Sequence, residues 1–318
     1  MYREQKKFDS MNKIRTILKT LKTGQFWYLF PHYYYSWRRS IDIEQTAPVI
    51  TATYGTPDAI EVHMLTGAKH YVDLLYAAKS FISNYQAPIS LIIHGDTSVT
   101  DDVIQKIHKH LPQAKIFTRQ QRDEIVVPKL EALGLKYCQR FRQINVFGTK
   151  LIDAFLLSHS QKVILLDTDC LAFKPLHRLR KLVDNNEDVN VYAKDPQPYP
   201  YSLSEKQIQE YFGVEIIPYF CAGFCVINRQ TIDLNITEKW LSTPGYPSYS
   251  HYAEQTITAA LVSQSARVML PENEYNTGRI YDEKQCVFIH YCGHYLSETR
   301  IAMRHIGQSI VLQKLKKS

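Results

Sequence analysis

From about residue 47 the chain alternates two hydrophobic patterns. Residues 59–65, 89–93, 114–117 and 163–166 are short apolar runs bounded by turn-forming residues, and they predict strands. Between them, residues 71–84, 100–110 and 150–160 carry apolar positions three and four apart, and they predict helices. Val72, Leu75, Tyr76 and Ala78 mark the first helical face, and Leu151, Ala154, Phe155 and Leu157 mark the last. The run 163–166 has no polar alternation, which suits a strand buried on both faces of a mainly parallel sheet; a buried helix segment would show the same pattern. Further on, residues 179–183 predict a helix, 189–192 a strand and 195–203 a long Pro- and Tyr-rich loop. Residues 220–228 predict a glycine-bearing turn running into a buried strand, 251–264 a helix, and 286–290 a strand ending on His290. The expected class is α/β: a Rossmann-like, mixed and mainly parallel sheet flanked by helices. No Gly-x-Gly-x-x-Gly occurs, so a dinucleotide fingerprint is absent.

Residues 1–45 read differently, as a basic and aromatic extension to one domain spanning 46–318. Residues 10–24 predict a basic amphipathic helix, capped by Ser10, with Met11, Ile14, Ile17, Leu18 and Leu21 on one face and Gly24 at its end. An aromatic patch from Phe26 to Trp37 follows, closed by Arg38 and Arg39. Together they describe a peripheral membrane contact through residues 10–39. A helix packed on the main domain, its aromatics covering a core edge, is the plainer account.

Composition narrows the class without naming an activity. With 318 residues, 45% of them hydrophobic and 22% charged, the chain has the make-up of a globular protein with a sizeable core. The formal charge of +7 is concentrated at the start, where Arg3, Lys6, Lys7, Lys13, Arg15, Lys19 and Lys22 face only Glu4 and Asp9. The remainder is nearly balanced, so nucleic acid is not an expected partner. Six cysteines in or beside apolar runs, with no Cys-x-x-Cys pair, predict reduced core thiols. No apolar run approaches the ~18 residues of a membrane span, and no secretory signal opens the chain. The expected location is cytoplasmic, at most peripheral to the inner face of a membrane.

Candidate chemistry gathers where strands end. Asp167 and Asp169, on either side of Thr168, directly follow the run 163–166. Ligands of open α/β sheets collect outside the carboxyl ends of strands. Two carboxylates one residue apart at such a tip can turn towards one hard cation. Solvated acids on a surface turn are the commoner origin of such a pair, and the buried run in front of this one argues against that. His290 ends another strand; alone it would be a structural histidine, and only beside the two acids is it a ligand candidate. Two carboxylates and an imidazole suit Mn²⁺ or a similar cation that also accepts phosphate oxygens.

Five blocks in order make the chain resemble the glycogenin-like branch of glycosyltransferases, the retaining family 8 type with the GT-A fold, over roughly residues 59–295. Thr149, Lys150 and Leu151, leading into the strand and Asp167-Thr168-Asp169, look like that family's lysine helix and metal-binding DxD strand. Phe220-Cys221-Ala222-Gly223 takes the place of a Phe-Asn-Ser-Gly block, and Glu254-Gln255 stands where an Asp-Gln pair is usual. Leu270, Pro271, Tyr275 and Asn276 resemble the Leu-Pro…Tyr-Asn segment, and His290-Tyr291-Cys292-Gly293 looks like the start of the HxxGxxK motif.

The resemblance implies that Asp167, Asp169 and His290 hold Mn²⁺ (or Mg²⁺) bridging the diphosphate of a nucleotide sugar, UDP-linked in that family. Lys150 would contact the donor phosphate or sugar, with Thr168, Gly223 and Gly293 around the same donor and Gly293 admitting the phosphates to the backbone. Thr66, Gly67 and Asp96 would line the nucleoside pocket. Glu254 and Gln255, with Lys150, would form the catalytic set, Glu254 as sugar orienter or weak nucleophile. Cys221 lacks the family's amide, Glu254 is one methylene longer than the usual Asp, and Leu296 stands in place of the motif lysine, with Arg300 nearby to supply a charge. The implied activity is metal-dependent hexosyl transfer, with retention, to a glycan or lipid-linked glycan, as in polysaccharide biosynthesis. Acceptor contacts are expected from the loop over 195–215, and a homo-oligomer is compatible with the chain. Two alternatives stand beside it: a non-catalytic nucleotide- or glycan-binding relative, and a haloacid dehalogenase-type phosphatase. The latter's pattern requires Thr two positions after the second Asp, where this chain has Leu171.

Overall fold

The structure is a computed structural model that describes residues 26–184, 188–278, 286–293 and 297–317. The helix expected over 10–24 and position Leu296 lie outside these residues. Its strands are β1 (Ile60–Thr66), β2 (Ile89–Gly95), β3 (Lys115–Phe117), β4 (Lys162–Leu166), β5 (Cys170–Ala172), β6 (Asn190–Lys194), β7 (Phe220–Asn228), β8 (Arg267–Met269), β9 (Tyr275–Thr277) and β10 (Phe288–His290). Its helices are α1 (Phe26–Ile43), α2 (Tyr71–Tyr85), α3 (Asp101–His110), α4 (Arg119–Ala132), α5 (Lys136–Ile144), α6 (Ala154–Leu156), α7 (His177–Asp184), α8 (Glu205–Phe212), α9 (Leu234–Leu241), α10 (Ala253–Ser263), α11 (Glu298–Ala302) and α12 (Gln308–Leu315).

Seven strands form one sheet in the order β3-β2-β1-β4-β7-β6-β8, and β5-β10-β9 form a second. β1 to β4 run parallel, β7 is antiparallel to both its neighbours, and β8 runs parallel to β6. The apolar run over 163–166 is a strand with a core on each side. Val163 and Leu165 face one buried cluster, with Val126, Phe141 and Ile257, while Ile164 and Leu166 face the other, with Leu75, Phe81 and Phe288. That is what an unalternating strand needs. Parallel β1, β2 and β4 lie side by side, so Thr66, Gly95 and Leu166 open onto one edge of the sheet.

Three expectations change. Residues 150–160 do not form one helix: a π turn, Thr149–Asp153, leads into the single α turn of α6. The segment 195–215 is not all loop, because Ser204 and Gln207 make a reciprocal capping box that starts α8, and Gly213 ends it in the left-handed region. Gly223 is not in a turn before a strand but in the middle of the nine-residue β7. α1 buries Leu29, His32, Arg39, Asp42 and Ile43 against the body, with Arg39 Nε donating to the Arg304 carbonyl at 2.8 Å. Among the described residues no helix is long and apolar enough to cross a membrane.

Candidate active site

Strand register assembles the site. Asp167 leaves the tip of β4, and its backbone N–H continues the ladder by donating to Gly223 O on β7 at 2.9 Å. A tight turn, closed by Cys170 N–H on Asp167 O at 3.2 Å, carries the half-buried Thr168 and returns the chain as β5. β10 pairs antiparallel with β5, His290 opposite Cys170, so the imidazole arrives beside Asp169. The two halves of the site are 121 residues apart in sequence (290 − 169) and adjacent through one ladder.

Each carboxylate is gripped by a cation through one oxygen and turns the other to His290. Lys150 Nζ bonds Asp167 Oδ1 at 2.8 Å and the Ala222 carbonyl at 2.8 Å. Arg300 pairs with Asp169 Oδ2. The remaining oxygens, Asp167 Oδ2 and Asp169 Oδ1, stand 4.0 and 3.3 Å from His290 Nε2. Cys221 Sγ lies 3.1 Å from the other ring nitrogen, Nδ1. If Nδ1–H points to that sulfur, Nε2 keeps a lone pair for a ligand. His290 Nε2 thus stands between the two carboxylates, and oxygen and imidazole donors of this kind suit a divalent cation. Among the described residues, the cluster whose donor atoms all lie within 4.8 Å of one another is Asp169, Cys170 and His290, with Asp167 outside it. Burial pushes the Cys170 thiol well up and it donates to Gly223 O at 3.4 Å, so the second carboxylate suits a hard cation better.

Electrostatics follow from this packing. Burial opposes the Asp169 charge, but Arg300 and His290 outweigh it and hold its carboxyl well below the usual range. Burial likewise opposes the Lys150 ammonium, and Asp167 and Glu254 outweigh it, so its pKa lies above the usual lysine value. Glu254, in the first turn of α10, is buried rather than surface-exposed. Its pKa is raised to about 6, chiefly by burial, against the pull of Lys150 and a hydrogen bond from Thr258. Gln255 acts on the backbone: it accepts from Ala222 N–H at 3.1 Å and donates to Pro200 O at 2.8 Å. The β6–β7 register jumps here, from Tyr192↔Cys225 to Ala193↔Cys221, which leaves residues 222–224 outside that ladder. Their backbone groups serve Gln255, Lys150 and Asp167 instead, a common use of bulges beside sites.

The remaining expected residues divide by distance from this centre. Thr66 and Gly67 end β1 beside Asp96, whose N–H donates to Thr66 O at 2.8 Å. The Asp96 carboxylate accepts from Ser98 N–H at 2.8 Å, so it braces its own turn. Gly293 has φ +134°, a backbone only glycine adopts readily, and a Cβ there would stand 2.9 Å from Ser297 Oγ. Arg300 is more than a nearby charge: it also lies 3.5 Å from Asp73, which holds Arg304 at 2.9 Å and Gln308 at 2.8 Å. Asp73 was not a sequence candidate, and nothing in its helical surroundings marks it.

The architecture has counterparts among solved structures. The galactosyltransferase LgtC in complex with donor and acceptor sugar analogs superposes with a TM-score of 0.55 at 14% identity, over 81% of this chain and 96% of that one. An active-site mutant of LgtC gives 0.52 at 14%, over 74% and 88%. Mouse xyloside xylosyltransferase 1, apo form, gives 0.51 at 13%, over 74% and 98%. The fold is the GT-A fold. No protein-family model matches the chain, and no curated protein matches it by sequence. In this GT-A chain the Asp167–Asp169 pair stands at the tip of the central strand, with the β1 and β2 ends opening on the same sheet edge.

Proposed function

We propose that the chain is a metal-dependent glycosyltransferase that moves a hexosyl unit from a nucleoside diphosphate sugar, UDP-linked, to a glycan hydroxyl with retention. The observation that carries this reading is the pair of carboxylates, each held by a cation on one oxygen and turned by the other to His290 Nε2. The LgtC structure with donor and acceptor sugar analogs and the xylosyltransferase support the reaction class by analogy of fold. Asp167, Asp169 and His290 would hold Mn²⁺ or Mg²⁺, which when bound neutralises the departing diphosphate.

The chain's own residues supply the rest. Lys150 and Arg300 fix the carboxylates and keep positive charge beside the diphosphate. Gly293 lets backbone N–H groups approach phosphate oxygens. Glu254 orients the sugar from a buried position, where its carboxylate also faces the developing positive charge at C1. The bond from C1 to the diphosphate oxygen breaks, the bond from C1 to the acceptor oxygen forms, and the acceptor proton passes to the departing oxygen. The segment around Pro200 and α8 is where the acceptor would enter.

The test is release of nucleoside diphosphate from a panel of nucleotide sugars with and without Mn²⁺, with Asp169→Asn alongside. Release from one donor that needs the metal and is lost in the variant, together with weaker Mn²⁺ binding by electron paramagnetic resonance, is expected. Metal-dependent UDP binding without turnover, even with a glycan acceptor panel, would leave a binding module. Equal Mn²⁺ binding by both proteins would overturn the metal assignment.

A further inference from the structure

α1 presents two different faces. Its buried side is fastened to the C-terminal helices: Arg304 donates to His32 Nδ1 at 3.2 Å, and Tyr35 stacks on His305 at 4.2 Å between ring centroids. Its other side carries Phe30, Tyr33, Tyr34, Trp37 and Ile41, which are 76, 53, 44, 57 and 39% exposed. These positions follow a helical three-and-four spacing and so form one continuous aromatic stripe. The buried side is that of a helix packed on the main domain, while the aromatics on the outer side stay uncovered. An exposed apolar patch on an otherwise well-packed chain marks a contact surface.

Beside the stripe runs a groove of about 590 Å³ between α1 and α12. Its lining includes Arg38, Arg39, Lys316 and His305; Asp42 pairs with Arg38 at 3.3 Å and with the buried Arg39 at 2.7 Å, which leaves the exposed Arg38 and Lys316 to give the groove its net positive charge. The sequence before α1 adds seven cations in residues 1–22 against two acids. Tyr and Trp are the side chains that favour the boundary between lipid headgroups and acyl chains, and clustered Lys and Arg favour anionic headgroups.

We infer that the α1 stripe docks the protein on an anionic membrane surface, the aromatics entering the headgroup layer and the Arg38–Lys316 groove receiving lipid phosphate. The docking surface is separate from the Asp167–Asp169 centre, so it stands or falls independently of the transfer reaction. A second copy of the chain is less well matched, because both copies would bring the same positive groove.

The full chain is sedimented with vesicles of phosphatidylglycerol and phosphatidylcholine, and with phosphatidylcholine alone. Binding to the anionic vesicles only is expected. It should weaken on the order of tenfold both for Phe30→Ser with Trp37→Ser and for Arg38→Glu with Lys316→Glu. Circular dichroism melting and size-exclusion mass checks that both variants remain folded. Unchanged vesicle binding by the stripe variant would overturn the inference. So would a wild-type dimer that the stripe variant splits and that ignores vesicles, because the stripe would then be a self-association face.

Discussion

At the scale of the residue, Glu254 shows how burial changes an expected role. The residue is 3% exposed, and its folded pKa is raised from 4.5 to about 6, first by burial and further by Asp167, against Lys150 and Thr258. The folded state therefore binds more protons than the unfolded state between those values. The group's contribution is most favourable below pH 4.5 and is lost as pH rises to about 6, a change of roughly 2 kcal/mol. Glu254→Gln keeps an acceptor for Thr258 and removes the titration. The stability of the variant relative to wild type, from urea unfolding, should rise by about 2 kcal/mol across pH 4.5–6. A flat difference would mean that Glu254 ionises as freely as a surface glutamate. Lys150→Met tests the neighbouring cation: it strips a donor from Asp167 Oδ1 and from the Ala222 carbonyl. Mn²⁺ affinity should fall about 10–100-fold, as for other groups that orient ligands, and the melting temperature should fall too, because the Ala222 carbonyl and two carboxylates lose their buried cation. Asp167, Asp169, His290 and Lys150 were legible because each sits at a strand end or in a short motif. Arg300 was legible only as a charge, because its partner Asp73 lies 227 residues away.

At the scale of the element, β7 and the π turn were the segments whose pattern misled. Residues 220–228 are apolar enough to be a strand throughout, yet a central glycine suggested a turn. The structure uses Gly223 for close approach: a Cβ there would stand 2.6 Å from His290 Nε2. Gly223→Ala should therefore cost about 1–3 kcal/mol through overpacking and displace the imidazole. The expected result is a lower melting temperature together with lost Mn²⁺ binding. Retained Mn²⁺ affinity would mean that β7 gives way instead of the histidine. The helix expected over 150–160 had its apolar positions right and its turn width wrong. Hydrophobic spacing does not report a π turn, and this one ends on the fully buried Asp153. By contrast β4, α2 and α10 were readable, because unalternating or 3.6-periodic apolar runs match one buried environment. Short β5, β8 and β9 offered three residues each, too few to set a period.

At the scale of the whole molecule, a buried charge cluster ties the carboxyl end of β2 to the turn that carries Lys150. Asp153, fully buried, accepts from Arg122 at 2.7 Å and from Arg142 at 2.6 and 2.8 Å. Arg122 also donates to Gly95 O at the end of β2 and to Thr149 Oγ1 in the π turn, at 2.7 and 2.8 Å. Arg142 reaches the half-exposed Asp123 at 2.7 Å, so α4, α5, β2 and the π turn meet in one network. Sequence alone gives no reason to bury these charges, since isolated Arg and Asp on helices are usually solvated. Asp153→Ala leaves two guanidinium groups without their shared carboxylate, and unfolding free energy should fall by about 3–5 kcal/mol. Replacing the trio together, with Arg122→Met, Arg142→Leu and Asp153→Leu, removes the uncompensated charge and should recover most of that loss. Stability and function then separate. If the cluster exists to position the π turn, the apolar triple variant melts near wild type yet binds UDP and Mn²⁺ more weakly, because Gly95 O and Thr149 have lost Arg122. Equal binding by the triple variant would mean that the network contributes to folding alone.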